Sequence, residues 1–314
     1  MKSDLVPRRV FLRHLTLTTG GVLTATAAPR ALSAARRTRL HLATNAYSWQ
    51  VFYQRDGRDF GAALDRGLAD VAASELDGYE PGVGSPEDVQ RLVPLLRKHN
   101  LQLRSIYVGS AMHTTEAAAK SIDQIVAVAR AAKAAGTRIV VTNPSPLRWG
   151  GSENKDDAQL RVQAEALNRL GQALAKLGLS LAYHNHDIEL RQAAREFHHM
   201  PAGTDPRWVG LCLDAHWVYR GAGNSAVALF DVVKLYGARV RELHLRQSHN
   251  GVWSETLGPG DIDYEALAEL LRRAGARPHL VLEIAVENGT PKTLSPTAAH
   301  QRSAEYARRV FARF

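Results

Sequence analysis

Two imidazoles and two carboxylates stand at the carboxyl ends of four apolar runs in the second half of this 314-residue chain. Leu181-Ala182-Tyr183 opens into His184, Asn185, His186, Asp187 and Glu189. Leu211-Cys212-Leu213 opens into Asp214, Val240 to Leu243 into His244, and Leu280-Val281-Leu282 into Glu283. Apolar runs this short suit buried strands, and parallel α/β folds place their chemistry at the carboxyl ends of such strands. His184, Asp214, His244 and Glu283 form a mixed nitrogen and oxygen set suited to a divalent cation: Mn²⁺, Zn²⁺, Fe²⁺ or Co²⁺, with Mg²⁺ kept among the candidates. Singly, a strand-end His or Asp is more often a capping or hydrogen-bonding group; four in successive strands argue for one site. His186 would face the pocket only beyond the cation, where it could meet a substrate hydroxyl or hydrogen-bond to a metal ligand.

Positioning such a set requires a fold that gathers strand ends. From residue 38 onward, eight apolar runs (40–44, 73–79, 101–108, 138–142, 181–183, 209–213, 240–243 and 280–282) alternate with eight stretches of helical period (60–72, 86–100, 115–135, 156–177, a weak one at 193–199, 225–236, 264–274 and 296–314). Ser85-Pro86-Glu87-Asp88 reads as an N-cap, a proline at the first helical position and an acidic first turn, and Gly136 and Gly178 mark two helix ends. This rhythm predicts an α/β fold, a (β/α)₈ TIM barrel forming a single domain over residues 38–314. A doubly wound open sheet is the alternative. Against it, Asn45-Ala46-Tyr47-Ser48-Trp49 follows the first strand where a glycine-rich phosphate turn would stand. On the barrel reading Asn45, Tyr47 and Trp49 line the rim from the first strand, Glu80 stands on it as an acid/base or as a strand-end ion pair, and His113 approaches from the third strand. His198-His199 falls on the surface.

The first 35 residues are of another kind. Arg8-Arg9-Val10-Phe11-Leu12-Arg13 precedes a weakly apolar run rich in Thr, Gly and Ala, with small residues at 25–27 and 33–35. That is the pattern of a twin-arginine signal and predicts a periplasmic or secreted protein. The apolar run is too short for a stable membrane span. Of the formal charge of +9, five basic residues against Asp4 place +4 in this segment and leave +5 on the rest, with no Lys/Arg run interleaved with aromatics; nucleic acid is not an expected partner. The single Cys212 forms no internal disulfide and reads as strand core. Self-association is left open.

The segments Tyr183-His184-Asn185-His186-Asp187, Leu213-Asp214 with Trp217 and Gly221, Glu242-Leu243-His244-Leu245-Arg246, Leu257 to Tyr264 and Leu282-Glu283 resemble the sugar phosphate isomerase/epimerase superfamily, the xylose isomerase-like TIM-barrel group. The resemblance covers nearly the whole chain after residue 38. It implies a metal on Asp214, His244, Glu283 and a fifth-strand residue that is usually glutamate; His184 takes that place here. In family epimerases the fifth- and eighth-strand glutamates act as two bases, so His184 argues against symmetric epimerisation. Trp217 stands where many relatives carry a substrate-binding histidine, and Arg246-Gln247 where many carry Lys-Asp. Trp217 would give an apolar wall against a sugar face or fill the core, and Arg246 would clamp the substrate or form an ion pair. Gly258 and Gly260 fit a loop over the pocket or a plain turn before an N-cap.

These expectations describe an exported, metal-dependent sugar or keto-sugar isomerase or lyase with a small carbohydrate substrate, in which Glu283, or failing that His186, removes a proton next to a carbonyl. The alternative is a non-catalytic periplasmic carbohydrate-binding protein on the same barrel.

Overall fold

A computed structural model describes residues 40–314; the expected signal over residues 1–35 lies outside them. Eight parallel strands alternate with helices: β1 (Leu42–Asn45), β2 (Gly78–Glu80), β3 (Ser105–Tyr107), β4 (Ile139–Thr142), β5 (Ser180–His184), β6 (Val209–Asp214), β7 (Val240–Leu245) and, after the short hairpin β8 (Ser248–His249) with β9 (Val252–Trp253), β10 (His279–Leu282). The sheet order β2-β1-β10-β7-β6-β5-β4-β3 is that of a (β/α)₈ barrel. The last seam, between β2 and β3, is closed by bridges at Gly78 with Gln102 and Gly82 with Tyr107, backed by Tyr79 N–H donating to the Gln102 carbonyl at 3.0 Å.

Strand alternation divides the barrel residues into two sets. Leu181, Tyr183, Leu211, Leu213, Leu243, Leu245, Leu280 and Leu282 join the large core between sheet and helices. Val141, Ala182 and Cys212 form a small separate cluster. Two residues further along the same faces stand His184 on β5 and Asp214 on β6, and the interior set thus turns from apolar to ligating at the carboxyl ends. Register then aligns the chemistry: Asp214 pairs with His244, and His244 with Val281, two residues before Glu283.

The helices follow their local signals. Ser85 caps α3 (Pro86–Lys98) in a reciprocal box, its hydroxyl accepting from Asp88 N–H at 3.2 Å while Asp88 accepts from Ser85 N–H at 3.0 Å. Two helices escaped the sequence reading because each follows its strand without a gap, the last strand residue serving as the N-cap: α1 (Ala46–Arg55) after Asn45 and α7 (Ala215–Gly221) after Asp214. The first corrects the expected rim. Trp49 is fully buried, stacked on His300 with centroids 4.2 Å apart. In a helix, positions 49, 52 and 53 share one face, and Phe52 and Tyr53 go into the core with Trp49, while Tyr47 points out, 39% exposed. Among the described residues no helix is long and apolar enough to cross a membrane.

Candidate metal centre and substrate cavity

His184, Asp214, His244 and Glu283 meet at the carboxyl end of the barrel, each offering a ligand atom within 4.8 Å of the others. His184 Nε2 lies 3.9 Å from Asp214 Oδ2 and 3.7 Å from Glu283 Oε2. Donors bound to one ion at about 2.0–2.2 Å are separated by distances of this order. Asp214 divides its carboxylate: Oδ1 accepts from Trp217 N–H at 2.8 Å and caps α7, while Oδ2 is buried with no partner. Both ring nitrogens of His184 are likewise buried and unpartnered. Orphaned polar atoms inside a protein are costly, and two of these, His184 Nε2 and Asp214 Oδ2, face one point beside Glu283 Oε2. A divalent cation would satisfy them, and the residues present fit one.

Charge agrees. Burial opposes ionisation of Glu283, but His244, His184 and Arg246 outweigh it and hold the carboxyl well below the usual range. His244 is itself pushed well above an ordinary imidazole: burial opposes the charge, yet Cys212, Glu283 and Glu80 prevail. Its Nδ1 contacts Glu283 Oε2, and its Nε2 lies 3.2 Å from both Glu80 Oε1 and Glu242 Oε1. Glu80 and Glu242, both against His244 Nε2, are shifted in opposite directions. Burial and the Glu242 charge raise Glu80 to about 8, while Glu242, despite burial, is held low by hydrogen bonds from His244, His279 and Glu80. Carboxylate therefore surrounds His244 from below and turns its Nδ1 toward the other three donors.

Above the cluster lies a cavity of about 350 Å³ lined by Asn45, Tyr47, Tyr107, His186, Trp217 and Glu283, among others. Its size lies at the lower end of small-molecule sites. His186 is mostly buried, its Nδ1 without a partner; burial and the neighbouring His184 lower it to about 3, so it is a neutral imidazole. Its backbone is held by N–H donation to Glu189 Oε2 at 2.7 Å. Asn45 lines the cavity, caps α1 through Oδ1 and donates from Nδ2 to Glu80 Oε1 at 2.6 Å.

Two residues expected as substrate contacts or as ion pairs, Glu80 and Arg246, stand in ion pairs. Glu80 is fully buried at the foot of His244, below the rim and away from the cavity lining. Arg246 is also fully buried. Its Nε donates to the Glu283 carbonyl at 2.8 Å and its Nη2 to Glu283 Oε1 at 3.0 Å, while Nη1 has no partner. The guanidinium lies under the rings of Trp253 (4.4 Å) and Trp217 (5.0 Å). His113 is half-buried near Lys155 and Glu196 and is not part of the cavity lining. His198 is half-buried, with Nδ1 2.9 Å from the Tyr236 hydroxyl, rather than on open surface. Gly260 packs against the β8 backbone, where an added Cβ would fall 2.5 Å from the Ser248 carbonyl, and Asp263 caps α9 (Tyr264–Arg273), which is the plain-turn alternative. Glu242 and Tyr107 had no assigned place in the sequence reading; the two-residue spacing of Glu242 to His244 was the signal for the first.

The pattern of the family described as xylose isomerase-like TIM barrel matches residues 68–310. Inosose dehydratase from Clostridium botulinum is 24% identical over 249 residues, covering 70% of this chain and 81% of its own. A sugar phosphate isomerase/epimerase from Parabacteroides distasonis superposes with a TM-score of 0.67 at 17% identity, covering 93% of this chain and 99% of its own. The 3-keto-D-glucoside 4-epimerase from Escherichia coli does so with a TM-score of 0.60 at 17% identity, covering 86% and 99%. With the family pattern spanning seven of the eight barrel strands and most of the helices around them, this chain belongs to the xylose isomerase-like TIM barrel family.

Proposed function

We propose that this protein is an exported, divalent-cation-dependent enzyme that removes a proton next to the carbonyl of a keto-sugar, leading to isomerisation or β-elimination. The observation that carries the reading is the convergence of His184 and Asp214, with buried and unpartnered ligand atoms, on a Glu283 that also lines the cavity. A cation held by His184, Asp214, His244 and Glu283 would supply Lewis-acid polarisation of the carbonyl.

The chain's own residues do the rest. Glu283 stays ionised in the cavity wall, so a carboxylate is available as the base, and Arg246 fixes its orientation through two hydrogen bonds. When the proton moves to Glu283, the C–H electron pair forms the enolate. In the eliminating course the β C–O bond then breaks, its electron pair leaves with the oxygen, and the proton on Glu283 returns to that oxygen. Neutral His186 offers a hydrogen bond to a hydroxyl of the same ring, Asn45 and Tyr47 line the same cavity, and Trp217 gives an apolar face. His184 replaces the usual fifth-strand carboxylate and leaves one base, which favours isomerisation or elimination over two-base epimerisation. The similarity to inosose dehydratase supports an eliminating reaction on a keto substrate. The pattern of residues 8–28 supports twin-arginine export to the periplasm or beyond.

The test is incubation of the Mn²⁺-supplemented protein with 3-keto-glycosides in D₂O, followed by NMR. Deuterium next to the carbonyl, or release of the alcohol, is expected from the wild type and not from Glu283→Gln. Sugar binding without either would instead establish the non-catalytic carbohydrate-binding protein, the reading that the missing fifth-strand glutamate favours.

A further inference from the structure

Trp149 is the one exposed tryptophan of the five, 59% accessible, and it neighbours His186 of the cavity lining without itself belonging to that lining. It lies between β4 and α5 (Asp157–Lys176), on the carboxyl side of the barrel where the cavity opens. Its ring meets His186 at a centroid distance of 5.3 Å and an angle of 88°. An edge contact of this kind covers little of an indole, and much of its surface is left to solvent. His186 in turn lies 4.8 Å from His184 and 5.9 Å from Trp217. The path from the ligand cluster outward therefore runs His184, His186, Trp149 in steps each about one sugar ring wide.

The segment presenting Trp149 is tied down on both sides. Asn143 Nδ2 donates to the His184 carbonyl at 2.9 Å and to Glu189 Oε1 at 3.0 Å. Lys155, 2% exposed, donates to the Pro144 carbonyl at 3.1 Å and to Glu196 at 2.7 Å. Arg191 holds the Gly151 carbonyl at 2.8 Å, and Arg148 pairs with Glu153 at 2.6 Å. A loop so anchored has a fixed shape, and the indole it holds in water is a formed surface beside a concave site.

We propose that Trp149 is a second sugar subsite, stacking on the ring that a keto-glycoside carries beyond its glycosidic bond. The inference rests on the keto-sugar reading and narrows its substrate class to glycosides with a ring aglycone. A free monosaccharide or cyclitol seated over Glu283 would leave Trp149 bare.

The experiment is calorimetric binding of matched methyl and phenyl β-glycosides of glucose, galactose and mannose to the full chain and to Trp149→Ala and Trp149→Phe. The wild type is expected to bind the phenyl member about tenfold more tightly, the span of one good aromatic contact. Trp149→Ala should remove that preference and leave methyl-glycoside affinity unchanged, and Trp149→Phe should keep most of it. The proposal is overturned by a preference that survives Trp149→Ala, by equal weakening of both members, or by a variant whose sedimentation shows loss of self-association while its ligand preference stays, which would make Trp149 an interface residue. Because binding needs no turnover, failure here is separable from failure of the chemistry: ring preference without deuterium exchange keeps the subsite and sinks the enzyme reading, and exchange without ring preference does the reverse.

Discussion

Replacing Glu242 with Gln probes the support beneath the ligand cluster without touching a proposed ligand or the cavity lining. Glu242 is fully buried, with Oε1 3.2 Å from His244 Nε2 and Oε2 2.9 Å from His279 Nδ1, and Cys212 Sγ donating to Oε1 at 3.6 Å. The carboxylate accepts from both imidazoles at once. An amide of the same volume accepts through one oxygen only, so either His244 or His279 loses its partner, and the bond that remains is no longer charge-assisted. His244 then loses both its fixed tautomer and part of its basicity. Loss of such a supporting partner typically lowers metal affinity about 10- to 100-fold, or about 1.4–2.7 kcal/mol. The assay is chelator competition for Zn²⁺ and Mn²⁺ at pH 7, with circular dichroism to establish that the fold is retained. Cys212→Ala serves as the comparison, since a neutral thiol at 3.6 Å should alter affinity by less than about threefold. A folded Glu242→Gln protein with wild-type affinity would refute the argument that carboxylate beneath His244 directs Nδ1 to a cation.

Two further expectations concern the scaffold. His300 is buried against Trp49 and lowered to about 4 by burial, against about 6.5 in an unfolded chain. The unfolded state thus takes up a proton that the native state refuses as pH falls from about 6.5 to 4, and stability drops by up to about 3 kcal/mol across that window. Urea unfolding at pH 7.5 and 4.5 should show a smaller drop for His300→Leu than for the wild type, and equal drops would contradict it. Gly171→Ala would place a Cβ 2.5 Å from the Trp208 carbonyl oxygen and 2.8 Å from its carbonyl carbon. Since backbone has to move, the cost is expected at about 1–3 kcal/mol or more, read as a lowered urea midpoint; an unchanged midpoint would show that α5 shifts freely.

Much of the barrel was legible because its strands are short apolar runs and its helices carry strong caps, as at Ser85 and Asp156. The convergence of His184, Asp214, His244 and Glu283 was legible too, since each ends a strand and barrel closure brings strand ends together. What escaped has a common cause. Helices α1 and α7 follow their strands with no intervening loop, so period-two and period-3.6 patterns abut and neither stands out. Trp49 consequently read as a rim residue when helical geometry turns it inward, and Asp214 read as a ligand when one of its oxygens also serves as a cap. Glu80 was visible as a strand-end acid, but only the register Asn45 with Glu80 and the height of His244 show it lying beneath the cluster. Arg246 likewise needed three dimensions: its partner Glu283 lies 37 residues away.

The central claim is that four strand ends build one divalent-cation site, and elemental analysis of the purified wild type beside His184→Ala and Glu283→Ala tests it most directly. The account predicts close to one transition metal per chain in the wild type and marked loss in both variants. A folded wild type that retains no metal after incubation with Mn²⁺, Zn²⁺ and Co²⁺, or variants that retain as much as the wild type, would contradict it.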